Sequence, residues 1–321
     1  MNYQMIRHRL SWVLVVGFGV TLCMVLIIQP GYPTEKSFAP IQNHLERLTQ
    51  ALNKQFRQSE IRVDDARPHQ SRNILDGCRY VYLDVGSNVG IQVRKLFEPD
   101  LYPDALVHKV FNEAFGNPRD LSVICSVGFE PNPNHSKKLS QIEKHYAKCG
   151  WNARFFKESA VSNREGFTSF FTDDDQYNLE WGAGLVGGKN KRLVSNVTLI
   201  RLAAFIVDVV GTREIPDAVN LKDPPPAVVM KVDIEGSEVE VIPDLVLTGA
   251  LNFVDYMTVE WHEHLSSAER KEVMGLGRSI VTNLDPLTKK LKMKHKLRVV
   301  DQDDETYYLS DEPFSNCPSH D

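Results

Sequence analysis

The chain has no excess of charge of one sign. Its 321 residues carry 37 Lys and Arg against 42 Asp and Glu, a net charge of −5, and its pI is near 6.1. Nothing in that balance provides a basic face for a phosphate backbone, so nucleic acid is excluded as the primary partner. Internal repeats and low-complexity tracts are also missing, and no repeat architecture competes with an ordinary domain. Cysteine is sparse, with five in the chain. The remaining composition, 42% hydrophobic and 25% charged, is that of a globular protein with room for one large α/β domain and additions.

Residues 10–28, LSWVLVVGFGVTLCMVLII, are nineteen positions without a formal charge, and as a helix they span roughly the ~30 Å hydrocarbon core of a bilayer. Arg7 and Arg9 precede them, which orients the short segment 1–9 to the cytoplasm and everything after Gln29 to the far side. A cleaved signal peptide is the competing reading. The run exceeds the usual h-region, and Gln29-Pro30-Gly31 offers no small-residue cleavage site, so an uncleaved anchor is expected. The chain then reads as a single-pass type II membrane protein of the secretory pathway, with the Golgi as its expected location.

That topology puts Cys78, Cys125, Cys149 and Cys317 in an oxidising lumen, where three pairings are open. Cys125 lies inside an apolar strand and reads as a buried free thiol. Asn134-His135-Ser136 and Asn196-Val197-Thr198 are glycosylation sequons. Asn196 is the better acceptor, because Asn134 sits beside a proposed ligand loop.

Residues 30–75 form a luminal stem. Within it Ile41, Leu45, Leu48, Leu52 and Phe56 place one apolar stripe on a helix. The helix can dock on the domain or pair with its copy in a homodimer, and two heptads favour docking. The main domain is expected over residues 76–310, followed by a tail at 311–321.

The domain is organised around YVYLDVGSNVG, residues 80–90. Tyr80 to Val85 read as a buried strand, broken by a glycine turn and followed by a helix from Gly90. Residues 98–119 form a long insert expected to fold over the site. Further strands are expected at 121–129, 153–157, 166–171, 227–234 and 253–261, and helices at 135–148, 198–210, 237–247 and from Ser266. Residues 296–309 read as two strands joined by an acidic turn at 302–305. The expected fold is therefore a Rossmann-like, doubly wound, mostly parallel seven-stranded sheet with an antiparallel C-terminal edge, preceded by the transmembrane helix.

Three motifs fall at successive strand ends, on the side where such sheets bind ligands. They are DVGSNVG at 84–90, GFEPNP at 128–133 and KVDIEGSE at 231–238. Together they resemble the FkbM family of S-adenosylmethionine-dependent methyltransferases, class I Rossmann-like enzymes that methylate hydroxyls. The resemblance covers residues 76–309. S-adenosylmethionine has a sulfonium and an amino-acid head but no phosphate, so its site needs carboxylates more than a phosphate cradle. The resemblance implies that Asp84, Gly86, Asn88 and Gly90 face the methionine head, that Glu130 accepts the ribose hydroxyls, and that Glu158 and Ser159 lie near the adenine. Each acidic group also has a structural alternative: Asp84 a helix cap, Glu130 a solvated carboxylate, Asp233 a partner of Lys231.

Methyl transfer requires in-line alignment and removal of the acceptor's proton. Asp233 and His262 are the groups expected to serve as base or to orient one. Asp233, Glu235, Glu238 and Glu260 are also a conceivable oxygen cage for a cation, but Glu235 and Glu238 are expected on the first turn of a helix, and no metal is predicted. The glycine-rich stretch 181–188, followed by Lys189, Lys191 and Arg192, reads as an acceptor-side lid. A luminal hydroxyl acceptor, foremost a glycan, follows from topology and family chemistry. Two rivals remain: a tethered, inactive binding protein on the same fold, and a nicotinamide-dependent oxidoreductase. The second lacks its G-x-G-x-x-G pattern here and leaves VDIEGSE without a role.

Overall fold

The computed structural model describes residues 73–172, 184–185, 192–218, 223–262, 267–290, 297–301 and 312–317. The expected anchor at 10–28, the stem helix, most of the lid and the 302–305 turn lie outside these residues. Among the described residues no helix is long and apolar enough to cross a membrane.

Six strands form the central sheet: β1 (Tyr80–Val85), β2 (Ile124–Glu130), β3 (Asn152–Lys157), β7 (Ala227–Val232), β8 (Tyr256–Val259) and β9 (Arg298–Asp301). Their order is β3-β2-β1-β7-β8-β9, and every pairing is parallel. The central strands YVYLDV, ICSVGFE and AVVMKV are buried at every position. Strands covered on both faces need such continuous apolar runs, which is why these three are readable without alternation. The chain winds outward from β1 to β3 and then returns to β7, on the other side of β1. The junction of β1 and β7 is thus the switch point, the place beyond the strand ends where sheets of this winding bind their ligands. The first strand of the expected C-terminal hairpin, β9, pairs in parallel with β8, and the second, with the antiparallel edge it would make, lies outside the described residues. A seventh strand would fall outside the described residues.

Helices α1 (Ile91–Phe97), α2 (His108–Phe115) and α3 (Ser136–Lys148) build the larger core with the sheet. On α3, Leu139, Ile142 and Tyr146 recur at steps of three and four and are the buried positions, each contributing about 1.5–3 kcal/mol. Helix α2 belongs to the expected insert, but it does not cover the ligand end. Phe111 meets Tyr82 edge-on at 5.0 Å and Phe115 lies 5.4 Å from Tyr80, so the insert fills the sheet face beside the first half of β1.

Residues 198–201 also depart from expectation. They are not helical but end a ten-residue strand, β6 (Arg192–Arg201). It is the middle of a second sheet, β4-β6-β5, with β4 (Ser159–Ser162) and β5 (Gly166–Thr172) on its flanks. β-branched Val194, Val197, Thr198 and Ile200 suit that strand, and helix α4 (Leu202–Phe205) begins only after it. Farther on, α5 (Glu238–Leu247) packs against α6 (Ala268–Lys290).

Two disulfides are formed. Cys78 bonds to Cys125 and Cys149 to Cys317, so Cys125 is not a free thiol. Proximity decides this, because the parallel register puts Val81 beside Cys125 and leaves Cys78 just below it. The second disulfide ties residues 312–317 to α3. Those residues are more than a tail: Arg94 donates to the carbonyls of Glu312 and Pro313 at 2.9 and 3.1 Å. The Phe314 ring stacks on His145 at 4.6 Å. Beneath them the buried Glu98 carboxylate accepts from Arg94 at 2.7 Å, from Tyr146 Oη at 2.6 Å and from the Ser315 amide at 2.6 Å.

Candidate functional site

Three connections meet at the switch point. After β1 the amides of Gly86 and Ser87 donate to the Phe129 carbonyl at 3.2 and 3.0 Å, and the amide of Asp233 donates to the Val85 carbonyl at 2.9 Å. Gly86 has φ 92° and Gly90 φ 85°, values that favour glycine. A Cβ on Gly86 would lie 1.8 Å from the Asp233 carbonyl oxygen, and one on Gly90 2.5 Å from Ile142 Cδ1. The turn is therefore glycine-bearing because protein atoms crowd it. Close approach of a ligand is not needed to explain either residue.

Glu130 joins this turn to the next. It is 5% exposed; Oε2 accepts from the Asn88 amide at 2.6 Å and Oε1 from the Asn132 amide at 2.7 Å. Asn88 itself is held at φ 49°. A carboxylate oxygen can accept two hydrogen bonds, so Glu130 is anchored with capacity left on each oxygen, although His135 Nδ1 stands 3.5 Å from Oε1. It is not the solvated loop carboxylate of the alternative reading. Directly across the sheet from Glu130 is Lys157. Glu158 and Ser159 follow it: Glu158 is exposed with φ 54°, and Ser159 Oγ donates to the Lys157 carbonyl at 3.0 Å.

Asp84 is the unusual group of this half. It is wholly buried, and neither carboxylate oxygen has a hydrogen-bond partner among the described residues. Lys231 Nζ approaches Oδ1 only to 3.9 Å. Burial raises the Asp84 pKa from 3.8 to about 6, with Lys231 and the nearby Ser87 hydroxyl, too far or too oblique for a well-formed hydrogen bond, opposing the rise. It does not cap a helix; α1 starts at Ile91 with Gly90 before it.

The other half lies beyond β7 and β8. Lys231 Nζ donates to the Gly86 carbonyl at 2.9 Å and pairs with Asp233 Oδ2 at 2.8 Å. The structural reading of Asp233 as a partner of Lys231 is therefore correct, yet its Oδ1 lies 3.7 Å from His262 Nε2. The same nitrogen is 3.7 Å from Glu235 Oε1 and 3.5 Å from Glu260 Oε1. On the other side of the ring, His262 Nδ1 is 2.9 Å from Glu238 Oε1. Glu238 also accepts from the Ile234 amide at 3.0 Å.

These surroundings assign proton roles. Burial would depress the His262 pKa, but hydrogen bonds to Glu238 and Glu260 and the charge of Glu235 outweigh it and push it up to about 11. At neutral pH the imidazole thus carries both protons and donates, which does not suit it to act as a base. Burial, reinforced by Asp233, Glu238 and Glu260, raises Glu235 from 4.5 to about 7, with His262 opposing. That is the range for a base near neutrality.

Sequence reasoning placed Glu235 in the first turn of a helix. Helix α5 instead starts at Glu238, and Glu235 stands before it at φ 52°, its carboxylate turned into the cluster. Left-handed backbone at a non-glycine residue concentrates at functional sites, but no composition signal announces it. The predicted residues thus fall into two adjoining groups, Asp84 to Glu130 and Asp233 to His262, with Lys231 between them. Glu158 is at the sheet edge beyond Glu130.

No family model, curated protein or solved structure matches the chain. Fold and site together describe an α/β protein of Rossmann-like winding with a cluster of carboxylates at its switch point.

Proposed function

We propose that the chain is an S-adenosylmethionine-dependent O-methyltransferase of FkbM type, anchored by residues 10–28 in a secretory membrane, foremost the Golgi, with its domain in the lumen. The observation that carries the cofactor is Asp84, a wholly buried carboxylate at the switch point whose facing cation, Lys231 Nζ, stops 3.9 Å away. An ammonium or sulfonium relieves that arrangement; the diphosphate of a nicotinamide cofactor would be repelled by it. Glu130 supports the same reading, since its backbone anchors leave acceptor positions for a ribose diol. Two disulfides support an oxidising compartment.

The bound cofactor supplies an electrophilic methyl group. Asp84 and Glu130 hold its cationic head and its ribose, and the Gly86 turn fixes Asp84 in place. On the acceptor side Glu235 or Asp233 takes the hydroxyl proton, while the His262 imidazolium, braced by Glu238, orients both carboxylates. Lys231 holds the Asp233 carboxylate against the turn after β1. A neutral glycan hydroxyl suits this surface better than an anionic acceptor, because four carboxylates surround it.

The test is calorimetric titration of the purified protein with S-adenosylmethionine and, separately, NAD, followed by transfer of labelled methyl to a glycan panel. Saturable binding of the first alone, with label recovered as a methyl ether, is the expected result. A folded protein that binds neither would favour the tethered binding protein instead.

A further inference from the structure

The cluster beyond β7 and β8 has the donor set of a metal centre. We infer that Asp233, Glu235 and His262 bind one first-row divalent cation of the Mn2+ or Zn2+ class, with Glu260 at the rim. The ligand atoms of the three residues lie within 4.8 Å of one another, so small side-chain rotations bring them around one ion. His262 is 5% exposed, and its Nε2 faces Asp233, Glu235 and Glu260 at 3.5–3.7 Å. Its Nδ1 is held by Glu238 at 2.9 Å. A carboxylate behind the distal nitrogen is the usual support of a ligating histidine, because it fixes the tautomer and the ring orientation.

Glu238 supplies an independent sign. It is wholly buried and turned toward the His262 ring, yet its Oε2 has no hydrogen-bond partner among the described residues. A buried carboxylate left partly unsatisfied is costly. Glu238 Oε1 holds the ring with Nε2 turned to the three other carboxylates, the orientation a ligating histidine needs. Asp233 is likewise pre-set: Lys231 occupies Oδ2 and leaves Oδ1 toward the histidine. One imidazole with two or three carboxylates favours Mn2+ or Zn2+ over Ca2+ and Mg2+, which take oxygen ligands. Binding displaces the Nε2 proton to solvent, and with Asp233 and Glu235 taken up as ligands the ion, by lowering the pKa of an acceptor hydroxyl so that it loses its proton to solvent, replaces them as the means of deprotonation. That last role rests on the methyltransferase reading; cation binding does not.

The test is loss of the free Mn2+ resonance signal on titrating MnCl2 into the full chain, purified in EDTA and exchanged. One site is expected. Glu235→Gln, a change at a ligand that is partly exposed, and Asp233→Asn should each weaken it at least tenfold. Glu240→Gln, outside the cluster, should leave it unchanged. Absence of binding by folded wild type to both Mn2+ and competing Zn2+, or equal binding by wild type and both cluster variants, overturns the assignment. S-adenosylmethionine titration in EDTA runs alongside, so a failed cofactor reading and a failed cation site give different results.

Discussion

Asp84→Asn should make the protein more stable and less able to bind its cofactor. The folded-state pKa is raised from 3.8 to about 6, chiefly by burial. A raised carboxyl favours the protonated form, so its benefit to folding is complete below pH 3.8 and is lost as pH rises through about 6. At about 1.4 kcal/mol per tenfold change in ionisation constant, wild type carries a cost of about 3 kcal/mol above pH 7. Asparagine has no charge to bury. Its advantage should be about 3 kcal/mol at pH 8 and about 1 kcal/mol at pH 4.5, by the same linkage. In thermal unfolding of a domain this size, the former is a rise of about 6–12 °C. Calorimetry should show the opposite sign for S-adenosylmethionine, weakened roughly ten- to a hundredfold by loss of a charge-assisted hydrogen bond. A variant less stable than wild type at pH 8 would refute the reasoning, since Lys231 would then outweigh burial. Unaltered cofactor affinity would refute the assigned ligand contact.

Gly86→Ala should lose at least about 3 kcal/mol or fail to fold, since its Cβ would meet the Asp233 carbonyl at 1.8 Å with φ at 92°; a melting temperature within a degree of wild type would contradict this. Glu98→Gln strips a buried guanidinium of its counter-charge and should cost about 3–5 kcal/mol by urea unfolding. Because Arg94 and Tyr146 hold the Glu98 pKa below 4.5 against the effect of burial, that loss should be largest at neutral pH and shrink as pH falls below 4.5. Cys149→Ser opens a link spanning 168 positions and should cost about 2–4 kcal/mol. The peptide joining Cys149 to Cys317 should be recovered by non-reducing mass spectrometry of wild type, and its absence would count against the pairing.

Much of the frame was legible because buried parallel strands leave a strong local trace. Tyr80 to Leu83 and Ala227 to Met230 are continuous apolar runs, and Asp84 and Asp233 fall at or just past the strand ends wherever the strands lie in the sheet. Residues 198–201 were misread because Thr198 to Val210 is apolar with either periodicity, and pairing with β4 and β5 decides for a strand. The insert was misplaced for a similar reason: Phe111 and Phe115 mark a buried helix, but sequence does not say which end of the sheet it covers.

The sequence by itself determined the alternation of strands and helices, the acidic residues at strand ends and the supply of four cysteines outside residues 10–28. Those properties depend on neighbours within a few residues. Only the tertiary structure decided that Cys78 meets Cys125 and Cys149 meets Cys317, that residues 312–317 strap α3, and that Glu235 leaves the helix to join His262. It also showed that the glycine turn is crowded by the Asp233 carbonyl. Each of these depends on which strand lies beside which. The groups that set pKa include pairs far apart in the chain, His262 with Glu238 at 24 positions and Asp84 with Lys231 at 147, distances at which local pattern carries no information.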